Sequence, residues 1–245
     1  MKRIFITSKS LLMAGVLLAL LSGCGGGGGS NSSATYDVDA LGVPKFVSTN
    51  YIELTQKDGG DYIINKISRF RSSDGHDFSS FLDHVETCRS MKHYFKTPNL
   101  STKIYSPVDG VITRIQEEEY PPLEGGTQID IRSDSHPAFK FTIFHIKEDN
   151  PFTLGQKVAE GERLGTHASL GTVSDIAVYV NTPTGYRLVS YFETLTSTAL
   201  TPFTDRYPGF LADVIITEAD RNDNPLTCSG DAFIGLDLLP KTISF

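Results

Sequence analysis

The 245-residue sequence holds no cluster of lysines and arginines, no H-E-x-x-H, no G-x-S-x-G and no apolar run long enough to span a bilayer. Each absence removes a class of function. Neutralising nucleic-acid phosphates takes clustered basic side chains. This chain is acidic instead: its formal charge is −7, and −10 without the first 23 residues, which carry Lys2, Arg3 and Lys9 and no acid. The balance argues against nucleic acid as a partner. Without H-E-x-x-H the common helical zinc-protease site is excluded, and without G-x-S-x-G an esterase nucleophile elbow has no support. The acid run Glu117 to Glu119, ahead of Tyr120, Pro121 and Pro122, lacks the alternate spacing of a calcium loop and reads as a solvated loop. Asp220 to Asn224 (DRNDN) offers oxygen donors but no glycine at the turn position such a loop needs. No tandem repeat of solenoid period is present.

What is there suits one sizeable globular domain with accessory elements: 39% hydrophobic and 21% charged residues, with 15 Phe and 10 Tyr. Lys2 and Arg3 form a charged start, and Leu11 to Leu21 is an apolar segment of secretory length. It ends in L-S-G-C (Leu21 to Cys24), which resembles a bacterial lipobox and implies cleavage before Cys24 and lipidation of that cysteine. Glycines rather than aspartate follow Cys24, which favours the outer membrane in a Gram-negative host. Gly25 to Ala34 (GGGGGSNSSA) is a flexible tether. With Cys24 acylated, Cys88 and Cys228 remain as an even pair in an oxidising compartment. A disulfide between them closes a long loop and contributes about 4–5 kcal/mol by loop entropy. Two buried free thiols are the alternative.

Alternation of apolar and polar residues predicts strands over Lys103 to Pro107, Gly110 to Gln116, Thr127 to Arg132, Phe139 to Ile146, Ser174 to Val180 and Tyr186 to Val189. Glycine turns mark the region, with Gly110 after Asp109 and with Gly155 and Gly161 around Val158. Tyr51 to Leu54 and Tyr62 to Asn65, around the Lys57 to Gly60 turn, read as a hairpin at a sheet edge. Ser80 to Phe95 has helical spacing for Phe81, Val85 and Cys88, while Lys92 and His93 beside Tyr94 and Phe95 read as packing. Tyr191 to Leu200 suits a short helix, and Thr217 to Asp223 a helix with Thr217 as its N-cap.

S-P-V-D-G-V-I (Ser106 to Ile112) and G-Q-K-V-A-E-G-E-R-L-G (Gly155 to Gly165) resemble the two halves of a duplicated hybrid motif. Gly110 and Gly155 stand 45 positions apart with β-patterned sequence between them, a spacing that resembles the LytM-type domain of the M23 zinc peptidases, which cut peptidoglycan cross-bridges. That family places a strand ending in Tyr-x-His-Leu between the halves, matched here by I-F-H-I (Ile143 to Ile146). The resemblance covers about Phe70 to Val180. It implies a mainly β fold, a LytM-like β-sandwich or barrel-sandwich hybrid with short accessory helices. The organisation it suggests is a signal peptide over 1–23, a tether over 24–35, an N-terminal β extension over 36–68, the LytM-like domain over 69–190 and a helical or loop extension over 191–245.

The family holds zinc with His-x-x-x-Asp and the second His of a His-x-His strand. In S-S-D-G-H-D-F, Gly75 and Asp77 match, but the His position falls on Ser73; in S-D-I-A-V-Y-V, Asp175 and Ala177 occupy the two His positions. Direct carry-over leaves Asp77 as the single ligand, and a catalytic zinc needs three from protein. A relocated site would use His145 as the catalytic residue and His76, Asp77, His167 and Asp175 as metal donors, with His145 and Asp175 meeting across neighbouring strands and Asp77 near. Asp77 has a second reading as a turn cap, and His136, before Pro137, reads as solvated. Two functions follow from the resemblance. One is a lipid-anchored envelope protein with no cofactor, whose domain binds peptidoglycan or an envelope protein and regulates cell-wall hydrolases. The other is a divergent zinc metallopeptidase acting on peptidoglycan.

Overall fold

The structure is a computed structural model that describes residues 34–54, 64–79, 86–97, 100–120, 123–168 and 173–245, without the side chains of 119, 120, 123 and 124. The signal segment, Cys24, most of the tether, the Lys57 to Gly60 turn and the Ser80 to Val85 part of the expected helix lie outside the described residues.

The described strands are β1 (Lys66–Ser68), β2 (His93–Phe95), β3 (Lys103–Tyr105), β4 (Gly110–Tyr120), β5 (Leu123–Ser133), β6 (Phe139–Glu148) and β7 (Lys157–Val158). They continue with β8 (Arg163–His167), β9 (Ser174–Thr182), β10 (Gly185–Val189), β11 (Thr227–Ser229), β12 (Ala232–Ile234) and β13 (Thr242–Ser244). Short helices are α1 (Val38–Leu41), α2 (Tyr191–Thr194), α3 (Ser197–Thr204), α4 (Phe210–Asp213) and α5 (Glu218–Asp223). The architecture is mainly antiparallel β with short accessory helices. One sheet runs β13-β1-β2-β9-β6-β5-β4-β7, with β10 beside β9 and β8 bridging β3 and β6. β11 and β12 form a separate hairpin. Among the described residues no helix is long and apolar enough to cross a membrane.

Alternation builds the central strands, because successive side chains leave a strand on opposite faces. Register puts Ile129 opposite Ile143, Ile131 opposite Phe141, and Phe141 opposite Val178, so one face of the sheet is continuously apolar. All five are fully buried in the main core, which Phe192, Phe203 and Phe210 of the C-terminal helices complete. The other face carries Asp130 opposite Thr142, Thr142 opposite Ala177, and Lys140 opposite Tyr179. It is polar, and it positions the site.

Several local expectations change. Gly155 and Gly161 are turn glycines at φ +83° and +77°, whereas Gly110 begins β4 and is required for another reason. A Cβ there would stand 2.4 Å from the Arg132 carbonyl oxygen, so only glycine lets β4 and β5 approach this closely. The described part of the expected Ser80 to Phe95 helix, Glu86 to Phe95, contains no helix; its last three residues are β2, paired with both β1 and β9. Helical spacing there lost to ladder pairing with strands distant in sequence. Tyr191 to Leu200 is not one helix but α2 and α3, since Ser190 and Thr196 each cap a new start. Thr217 caps α5, accepting from the Asp220 backbone N–H at 3.0 Å. Cys88 and Cys228 are joined by a disulfide, with Cα atoms 5.6 Å apart.

Candidate functional site

The site forms on the polar face where β2, β6 and β9 lie side by side. A local irregularity in β6 creates it. Thr127 pairs with Ile146 but Ile129 pairs with Ile143, so Phe144 and His145 together oppose Gln128. This is a β-bulge, and His145 takes a left-handed φ of +57° to make it. The strand's alternation therefore slips. Strict period-2 reasoning puts His145 on the face of Phe139, Phe141 and Ile143; in the structure Ile143 and Ile146 face the main core while Phe144 joins a second apolar cluster with Phe70, Met91, Ala177 and Leu188. His145 turns toward the polar side with Phe144.

There its ring lies between two carboxylates. His145 Nδ1 is 2.9 Å from Glu118 Oε2, and Nε2 is 3.3 Å from Asp175 Oδ1. The Glu118 oxygen also accepts from the His145 backbone N–H at 2.9 Å, satisfying a donor that the bulge removes from the ladder. Burial pulls the imidazole pKa down, but the Glu118 hydrogen bond and the Asp175 charge outweigh it and hold the group above its ordinary value. Asp175, fully buried, is met from its other side by Lys92, whose Nζ is 2.5 Å from Oδ2. The Lys92 ammonium is 3% exposed and stands over the rings of Phe144, Phe78 and Tyr94 at 4.1, 4.7 and 4.9 Å. With His145 protonated, Lys92, Asp175, His145 and Glu118 form a buried line of four charges that sums to zero.

The donor set does not fit a catalytic zinc. Of the positions to which the sequence resemblance assigns ligands, Ser73 is a buried serine whose backbone N–H donates to Asp237, and Ala177 packs in the second apolar cluster. Asp77 is occupied as a turn cap, accepting from Ser79 Oγ at 2.9 Å and the Arg89 N–H at 3.0 Å. Both nitrogens of His145 already face carboxylates on opposite edges of the ring, so Glu118 and Asp175 cannot converge on one ion with it. An ammonium beside Asp175 would repel a dication in addition. Among the described residues no three His, Cys, Asp or Glu side chains are arranged to hold a metal.

Of the residues named for a relocated site, the fold brings together His145 and Asp175 alone. His76 is exposed, with Nδ1 2.8 Å from the Asp77 carbonyl. His167 is fully buried in β8 opposite Ile146, and so shares the core-side face of Ile146 rather than that of His145. Asp77 turns to Ser79 and Arg89, and the Phe78 ring beside it meets Phe144 edge-on at 5.7 Å. His136 is not merely solvated: it stacks on Phe46 at 3.9 Å.

Two members of the cluster escaped the sequence reading. Glu118 lies in β4, not in a loop, and its side chain is 6% exposed. Lys92 read as packing beside aromatic residues. The signal that could have found it is a lysine immediately before three strand residues with no polar face of their own.

No family model matches the chain, and no curated protein matches it. Solved structures do. Csd3 from Helicobacter pylori is 15% identical over 62% of this chain and 36% of its own, with a TM-score of 0.42. A putative glycyl-glycine endopeptidase LytM from Ruminococcus gnavus is 17% identical over 60% of this chain and 59% of its own, at 0.41. A variant of the catalytic domain of the prophage-encoded M23 protein EnpA from Enterococcus faecalis is 13% identical over 59% of this chain and 94% of its own, at 0.38. Two of these three structures are described as a LytM and an M23 protein. The chain spans about a third of the Csd3 structure's length.

Proposed function

We propose that this chain is a lipid-anchored envelope protein whose LytM-like domain does not hydrolyse peptidoglycan but binds it, or binds and regulates a cell-wall hydrolase. The observation that carries the reading is the pairing of Lys92 with Asp175, at 2.5 Å, on the strand where the sequence resemblance would put a metal ligand. A hydrolytic site of that kind needs an open coordination position for an activated water. Here that strand presents one carboxylate, with an ammonium at 2.5 Å and an imidazole at 3.3 Å, and one alanine. The sequence resemblance supports peptidoglycan as the ligand class. The L-S-G-C motif and glycine-rich tether support a membrane anchor at Cys24, facing the periplasm or cell surface. The resident cation beside Asp175 counts against the metallopeptidase reading.

The test is co-sedimentation of the purified chain with isolated sacculi, run beside release of labelled muropeptides and metal analysis. Association without release, and without stoichiometric zinc, is expected. Release that a chelator stops and His145→Ala abolishes would establish the zinc peptidase instead. If the chain neither associates with sacculi nor stimulates a hydrolase added to them, the binding reading fails.

A further inference from the structure

Lys92 and Asp175 differ from the other lysine–carboxylate pairs of this protein. Lys103–Glu53 and Lys140–Asp130 keep a partner 20% and 32% exposed, respectively, so water screens them. Lys92 and Asp175 are 3% and 0% exposed, inside an enclosure of Phe78, Tyr94 and Phe144. Their contact is not an ordinary hydrogen bond either. Nζ lies within 2.5 Å of Oδ2 and His145 Nε2 within 3.3 Å of Oδ1, yet neither oxygen is approached at hydrogen-bonding angles. Such a pair is dry, pressed together and flanked by a proton donor. The two residues also sit on neighbouring elements: Tyr94 is the register partner of Asp175, and Lys92 immediately precedes β2.

We propose that Lys92 and Asp175 become joined by an intramolecular isopeptide bond from Nζ to Cγ, tying β2 to β9. Proximity and exclusion of water convert a slow amidation into an intramolecular step. The ammonium passes one proton to Oδ2, giving a neutral amine and a carboxylic acid. The Nζ lone pair attacks Cγ, the Nζ–Cγ bond forms, and the carbonyl π pair moves onto Oδ1. His145 Nε2 stands 3.3 Å from that oxygen, and the positive charge of the protonated ring stabilises the developing negative charge. A second proton moves from nitrogen to Oδ2, which leaves as water while the Oδ1 lone pair restores the carbonyl. The balance is one ammonium and one carboxylate giving one secondary amide and one water, with no oxidant, metal or cofactor. His145 ends the cycle protonated, as it began, paired with Glu118. Burial lowers and Glu118 and Asp175 raise the affinity of His145 for its proton, with the net shift upward, which favours the charged donor.

The bond would fasten a segment already held at Cys88 by the disulfide to Cys228, four positions upstream of Lys92. Both covalent links would lie on the N-terminal side of the short strand β2, whose three residues follow Lys92 directly.

The experiment is a reduced, denatured tryptic digest of the full chain, read by mass spectrometry. The expected product is a branched species in which Ser90–Lys96, uncut after Lys92, is joined to Leu164–Arg187 and is lighter than the two together by one water. Asp175→Asn should yield a branched species of the same mass, because ammonia leaves in place of water. Recovery of the Cys88–Cys228 linked peptides before reduction verifies that each protein folded. Quantitative recovery of unbranched Ser90–Lys92 and Leu164–Arg187 from folded wild-type chain overturns the proposal. In folded His145→Gln the unbranched peptides should persist at early times; branching as fast as in wild type would remove His145 from the reaction. Neither outcome bears on sacculus binding, which is read separately.

Discussion

Lowering the pH from 7 to 5 should destabilise this fold through one histidine outside the cluster of Lys92, Asp175, His145 and Glu118. His93 is fully buried in β2, between the Ser68 carbonyl at 2.9 Å from Nδ1 and the Ser190 hydroxyl at 2.7 Å from Nε2. The ring stacks on Phe70 at 5.7 Å and meets the Phe192 edge at 4.7 Å. Burial, partly offset by the Ser68 hydrogen bond, lowers its pKa to about 4. In the unfolded chain the value is about 6.5, so between these two values the unfolded state binds the extra proton and stability falls as pH falls. At pH 5 the loss relative to pH 7 is about 2 kcal/mol, reaching about 3 kcal/mol below both values. His145 works in the opposite direction. Its raised value contributes stability that is complete below about 6.5 and is lost as pH rises through the folded value. Urea unfolding at pH 7 and pH 5, for wild type and His93→Gln, separates the two, because both proteins keep His145. Wild type should lose about 2 kcal/mol more than the variant between the two pH values. Equal losses would refute the assignment of His93 as a neutral, buried imidazole.

Other outcomes follow from packing. Arg221 and Asp237 are both fully buried, and the guanidinium also donates to the carbonyls of Arg71 and Asn224. Arg221→Met should therefore cost about 3–5 kcal/mol in urea unfolding, with part recovered when Asp237→Leu is added. Replacing Cys88 and Cys228 by serine opens a loop of sequence separation 140, worth about 5 kcal/mol by loop entropy; an unchanged unfolding midpoint would show that the link contributes nothing. Gly110→Ala puts a methyl group 2.4 Å from the Arg132 carbonyl oxygen and should cost more than Gly155→Ala, which meets no atom within 4 Å and strains only a φ of +83°. We expect about 1–3 kcal/mol against about 1 kcal/mol. Zinc in excess should leave Tm unchanged, whereas binding at a hundred times its Kd would stabilise the native state by about 2.7 kcal/mol.

Much of the fold was legible from alternation. The strands expected over Phe139 to Ile146 and Ser174 to Val180 extend in the structure to Glu148 and Thr182, and those expected over Gly110 to Gln116 and Thr127 to Arg132 extend to Tyr120 and back to Leu123. Apolar residues at every second position leave one strand face to bury, and a buried face specifies the register. The pieces that alternation missed are short. β1, β2 and β13 have three residues each, too few to show a period, and exist because longer strands offer them a ladder. The acid run at Glu117 to Glu119 misled for a related reason: charge alone reads as solvent exposure, while the β4–β5 hairpin carries Glu118 back over the His145 backbone.

The sequence by itself determined the strands of the central sheet, the cap at Thr217 and the loss of histidine at the positions the LytM resemblance would fill, since each is a matter of residue type or of neighbours a few positions apart. Which side of the sheet His145 faces was decided only in the tertiary structure. One extra residue in β6 opposite Gln128 reverses a side chain's direction, and nothing local in F-K-F-T-I-F-H-I marks where the bulge falls. The contact between Lys92 and Asp175 is likewise a product of β2 pairing with β9. Electrostatics among buried groups depends on distances between strands remote in sequence, and those distances exist only once the sheet has closed.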